Sequence, residues 1–166
     1  MSAPFVHLHL HSEYSLADST IRIAELVKRC VALGQPAVAL TDIDNLFATV
    51  KFYKAAEAAG LKPIIGADIH LADGNETPSR MTLLCRDRGG YLTLSRLLSR
   101  AWMEGHQVDG VVVRPQWLRE AETNGGQQDG ETWDHPTHLV VAGRGLGLRP
   151  FLPGSSVATT GGKPLS

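Results

Sequence analysis

Three histidines alternate with leucines in His7-Leu8-His9-Leu10-His11. A period of two belongs to extended backbone, where successive side chains point to opposite faces. The alternation predicts a strand over Pro4 to Leu10, with His7, His9 and His11 on one face and His11 at the C-terminal end. Imidazoles two residues apart can both reach one metal ion. The same spacing also occurs in strand histidines with ordinary hydrogen bonds, because a bare H-x-H is short and common. A metal centre needs further convergent ligands.

The residues that follow read as repeated strand–helix units. Ile23, Leu26, Val27 and Cys30 recur at helical spacing, with Ser19 or Thr20 placed to begin the helix and Gly34 to end it. Ala37 to Thr41 is a short apolar strand candidate between Pro36 and Asp42. Asn45 is placed to cap a second, Ala-rich helix through Ala59, with Gly60 as its stop. Pro63 to Leu71 and Met81 to Cys85 read as strands, Tyr91, Leu94, Leu98 and Ala101 mark a third helix, and Leu139 to Ala142 is a fifth strand. Strands alternating with helices predict an α/β fold with a parallel sheet or barrel. The polar stretch 120–137 reads as a loop or insertion. Residues 145–166 hold five Gly, three Pro and no acidic residue, and read as an irregular tail.

Charge narrows the function classes. Sixteen Lys and Arg against 17 Asp and Glu leave a net charge of -1, without the basic balance of a free-standing nucleic-acid binder. Lys51, Lys54, Lys62, Arg86, Arg88, Arg96 and Arg100 read as solvated faces rather than a DNA surface. There is no apolar run of membrane-spanning length and no secretory signal, and Cys30 and Cys85 make no disulfide framework. The expected setting is cytoplasmic.

Carboxylates supply the remaining candidates. Asp42 and Asp44, in Leu40-Thr41-Asp42-Ile43-Asp44-Asn45, could be oxygen ligands or general bases, while Asp44 and Asn45 could equally cap the helix. Asp68 follows the apolar run Ile64-Ile65 and could hold a metal or serve a turn. His70, His106, His135 and His138 are scattered and read as ordinary surface or hydrogen-bonded histidines.

The stretches FVHLHLHSEYSLADS, PAVALTDIDNL, VKFYKAAEAAGLKPIIGADIHL and GGYLTLSRLLSRA, in that order, resemble the N-terminal polymerase-and-histidinol-phosphatase (PHP) domain of bacterial DNA polymerase III alpha subunits. The resemblance covers residues 4 to about 118 and, more loosely, 138 to 144. It implies a distorted (β/α)7 barrel with parallel strands alternating with helices and metal ligands at the strand ends. In members that keep their metals it implies phosphoesterase or 3′–5′ exonuclease chemistry, with metal-bound water as nucleophile. Carried over residue by residue, His9, His11 and Asp18 match family ligands, and Asp68 stands where active members have Glu. Ile43 and Arg80 stand at ligand histidine positions, and Arg144 aligns roughly with a ligand cysteine. An alkyl group and a guanidinium offer no lone pair.

The sequence therefore reads as a degenerate PHP domain over 1–144, an incomplete barrel followed by the tail. By resemblance it is expected to act as a structural support and docking surface for the epsilon proofreading exonuclease and other polymerase III holoenzyme subunits, without catalysis of its own. DNA would be met only through polymerase domains that this chain lacks. No cofactor is expected, with zinc, manganese or magnesium entering only if His9, His11, Asp18 and Asp68 form an active reduced site. In that alternative the chain is a stand-alone PHP phosphoesterase or exonuclease. A frameshift or premature stop in the parent gene is the expected origin of the tail.

Overall fold

A computed structural model describes residues 5–142, apart from 75–76, 108–109, 125–126, 129–130 and 133–138. The expected tail over 145–166, Arg144, His135 and His138 lie outside the described residues.

The helical stripe Ile23, Leu26, Val27 and Cys30 forms the buried face of α1 (Ile23–Ala32). Its N-cap is Arg22, which makes no side-chain cap. The expected starter Ser19 is engaged elsewhere, donating its hydroxyl to the His11 carbonyl at 2.8 Å. The strand β1 (Ala37–Leu40) is buried throughout. Next, α2 (Thr49–Ala58) has Ala48 as its N-cap and so starts three residues later than Asn45 predicts. Asn45 instead closes a local turn, its Oδ1 accepting from the Phe47 amide and its Nδ2 donating to the carbonyls of Ile43 and Tyr14. Gly34 and Gly60 take the left-handed conformation just beyond these two helices, where a Cβ is unwelcome.

The strands β2 (Lys62–Leu71) and β3 (Ser79–Cys85) and the helix α3 (Arg88–Glu104) follow as the sequence predicts, with Asp87 capping α3 through the Gly90 amide. The two-residue strands β4 (His106–Gln107) and β5 (Gly110–Val111) pair with each other. They lead to α4 (Pro115–Asn124), a helix that runs into the stretch 120–137 where the polar composition predicts a loop. Within that stretch, β6 (Gln127–Gln128) and β7 (Glu131–Thr132) form a small hairpin. The last described strand is β8 (Leu139–Ala142).

The main sheet has the order β1-β2-β3-β8. Only β1 and β2 run parallel, while β2–β3 and β3–β8 are antiparallel, so the expected all-parallel sheet is a mixed one. Connection length decides this. A parallel pair needs a crossover of about a dozen residues or more, and α2 supplies it between β1 and β2. The short segment 72–78 between β2 and β3 permits only a hairpin-like return.

Two apolar clusters hold these layers. Ile23, Val27, Val38, Leu40, Phe52 and Leu61 join α1 and α2 to β1, and Ala67, Ile69, Leu83, Leu94, Leu98 and Trp117 join α3 and α4 to the sheet. With Ala67 and Ile69 facing the second cluster, strand alternation sends Asp68 and His70 to the opposite face. Gly66 lets β3 approach closely there, since a Cβ on it would lie 2.5 Å from the Leu83 carbonyl oxygen.

Candidate metal centre

The histidine segment is less regular than its alternation predicts. Only His7 bridges β1, opposite Val38, and its ring packs edge-on against Phe5. His9 and His11 lie further along, their ring centroids 4.8 Å apart, and both meet Asp68. His9 Nε2 is 2.7 Å and His11 Nε2 3.0 Å from the same oxygen, Asp68 Oδ2. Thr82, opposite Asp68 in the β2–β3 register, donates its hydroxyl to Asp68 Oδ1 at 2.5 Å. Asp68 is fully buried, so these three partners replace water around its carboxylate.

Asp18 binds the other ring nitrogen of His11. That hydrogen bond, assisted by the charges of His11, Arg80 and His9, holds the Asp18 carboxyl below its usual range against a smaller opposing effect of burial. A carboxylate on Nδ1 fixes the ring with Nε2 aimed at Asp68, the arrangement that orients metal-ligating histidines.

His9, His11 and Asp68 thus bring three ligand atoms within 4.8 Å of one another. Two imidazole nitrogens and one carboxylate oxygen suit zinc, but a structural zinc site has four protein ligands and a catalytic one three with an open position. Among the described residues no other His, Cys, Asp or Glu joins the group. Ile43 pairs with Asp68 in a parallel bridge and offers only alkyl carbon. Arg80, opposite His70 on β3, is exposed and adds a cation felt at both Asp18 and His70. The donor set is therefore short of a polynuclear cluster.

Asp42 and Asp44 do not enter the group. Asp42 is buried and accepts from the Ser12 amide and hydroxyl at 2.6 and 2.7 Å and from the Ser15 hydroxyl at 2.7 Å, fastening the turn after His11. Asp44 caps no helix, and its Oδ2 lies 2.6 Å from Nδ1 of His70. His70 is a hydrogen-bonded histidine, as the sequence suggests. The roles of Ser12, Ser15 and Thr82 carry no signal in their spacing. His106 stacks edge-on with Trp102 at 5.7 Å. Of the basic residues, Lys51 pairs with Glu13, and Arg100 pairs with Glu104 and Glu120 and lies over Trp117.

The His70–Asp44 pair gives a pH-dependent expectation. The hydrogen bond to Asp44 raises the His70 pKa above its ordinary 6.5, against a smaller effect of burial. A raised folded value stabilises the fold fully below the unfolded value and loses that contribution as pH climbs through the folded one. The stability difference between the unaltered chain and His70→Gln should be widest below about pH 6 and narrow above 6.5, read from urea unfolding at a series of pH values. A difference that widens with rising pH would contradict the pairing.

A family model described as PHP domain matches residues 7–129. Among curated proteins, "DNA polymerase III subunit alpha" of Xylella fastidiosa is 53% identical over 138 residues, covering 74% of this chain and 12% of that protein. The Pseudomonas aeruginosa and Escherichia coli proteins of the same name are 46% identical over 123 residues and 44% over 124, covering 73% and 72% of this chain and 10% and 11% of theirs. The chain thus spans about an eighth or less of these relatives' length. Among solved structures, a candidate metal-dependent phosphoesterase from Bifidobacterium adolescentis superposes with a TM-score of 0.46 at 22% identity, covering 61% of this chain and 36% of its own.

Proposed function

The chain belongs to the PHP domain family, and on that premise we propose that it is the N-terminal PHP portion of a DNA polymerase III alpha subunit, the DNA-directed polymerase of chromosomal replication. In this reading residues 1–144 form part of a distorted (β/α)7 barrel that holds no metal and catalyses nothing by itself. It supports the polymerase and offers a docking surface to the epsilon proofreading exonuclease within the cytoplasmic holoenzyme. The identity of 44–53% to alpha subunits supports the assignment. The observation that supports the non-catalytic reading is Ile43, bridged to Asp68, an alkyl side chain at a position where the resemblance implies a ligand histidine. Arg80 adds a cation felt at Asp18 and His70. Among the described residues no helix is long and apolar enough to cross a membrane, which suits the proposed setting.

A second reading, a stand-alone phosphoesterase using His9, His11, Asp18 and Asp68 with zinc, manganese or magnesium, draws on the convergence of three of those residues. One set of measurements on the full chain separates the two. The first reading expects no stoichiometric metal by elemental analysis, no hydrolysis of p-nitrophenyl phosphate with any of the three metals added, and saturable binding to purified epsilon subunit. Turnover that disappears in His9→Ala and His11→Ala would replace it with the second. Absence of epsilon binding would remove the docking role.

A further inference from the structure

We propose that Asp44 is a positioning residue whose side chain continues the β1–β2 ladder beyond the end of β1 and so fixes His70, next but one to Asp68 on the same face of β2. The ladder can be followed bond by bond. The Asp68 amide donates to the Asp42 carbonyl at 3.1 Å, and the Asp44 amide donates to the Asp68 carbonyl at 2.7 Å. In a regular parallel ladder the His70 amide would next donate to the Asp44 carbonyl. That bond is not made. Asp44 has φ of 52°, in the left-handed region, and its carbonyl accepts instead from the Trp102 indole N–H at 2.8 Å. The Asp44 carboxylate fills the missing place, with Oδ1 accepting from the His70 amide at 3.1 Å and Oδ2 meeting His70 Nδ1.

One residue therefore makes both connections, its main chain to α3 and its side chain to β2. The requirement is unusual. The position needs a residue that tolerates the left-handed region and carries an acceptor oxygen three bonds from Cα, which asparagine and aspartate combine. Glycine meets the first need only.

Hydrogen exchange on the full chain tests this. In Asp44→Gly, protection of the His70 amide should fall about fivefold to tenfold, the scale of one hydrogen bond. Protection at Ile64 and Leu83 should hold, and the Trp102 indole N–H resonance should stay in place, because its acceptor is a main-chain carbonyl. Asp44→Asn keeps an acceptor oxygen and should restore His70 protection to within about twofold of the unaltered chain. Unchanged protection in Asp44→Gly would overturn the proposal. So would an Asp44→Asn variant that loses as much as Asp44→Gly, or a loss spread equally to Ile64 and Leu83.

Discussion

Asp68→Ala is expected to lower stability by about 3–5 kcal/mol, because it leaves the buried His11 and Thr82 without their shared partner, at about 1–3 kcal/mol each, and removes the partner of His9 as well. Asp68 is fully buried and receives His9, His11 and Thr82. His11 and Thr82 are themselves buried, so neither can turn to water when the carboxylate is lost. The penalty is that of stranded donors, which exceeds the net gain of the bonds when made. With a slope of about 1–3 kcal/mol per molar urea, the unfolding midpoint should fall by at least about 1 M. Asp68→Asn keeps the size and an acceptor for Thr82, and should fall by less. A midpoint within about 0.3 M of the unaltered chain in Asp68→Ala would show that the histidines and Thr82 find other partners at little cost.

Phe52→Ala should lose a similar amount, about 3–5 kcal/mol, for a different reason. Phe52 is wholly buried in the cluster that joins α1 and α2 to β1, among Ile23, Val38 and Leu61. Truncation opens a cavity between helices, on top of the lost transfer energy of the ring. Phe47, on the same stretch of chain, is 70% exposed, and Phe47→Ala should change stability by no more than about 0.5 kcal/mol. Parallel urea titrations of the two variants give the contrast, and equal losses would contradict the burial of Phe52 and the exposure of Phe47. Because the two sites share no partner, Asp68→Ala and Phe52→Ala should also add in the double variant to within about 0.5 kcal/mol.

What the sequence reveals about this molecule depends on how local the cause is. The stripe on α1 and the run that becomes β2 are written in the periodicity of neighbouring residues, and both are found where expected. The direction of β3 is set by the length of a connection whose significance emerges only once the strand ends are known. Of His9, His11, Asp18 and Asp68, the candidates the sequence offers, the structure brings His9, His11 and Asp68 together and sets Asp18 on the far nitrogen of His11, outside that group. The histidine alternation alone would have included His7, which faces Phe5 instead, because regular pairing stops after one bridge. The Asp44–His70 pair was illegible because it springs from a single left-handed residue, and aspartate at that position gives no sign of which way the backbone will turn.

The place of β8 beside β3 has a consequence for how the chain is made. On one side β3 pairs with β2, which precedes it, but its other side pairs with Leu139–Ala142. Some 50 residues separate Cys85 from Leu139. At about 5–20 residues per second of synthesis, β3 spends roughly 3–10 s as an edge with open backbone donors and acceptors. During that interval the nascent chain presents a ready template for pairing with another strand. The rate of translation across 86–138 thus becomes a determinant of yield, and slowing synthesis there should increase the aggregated share of newly made protein.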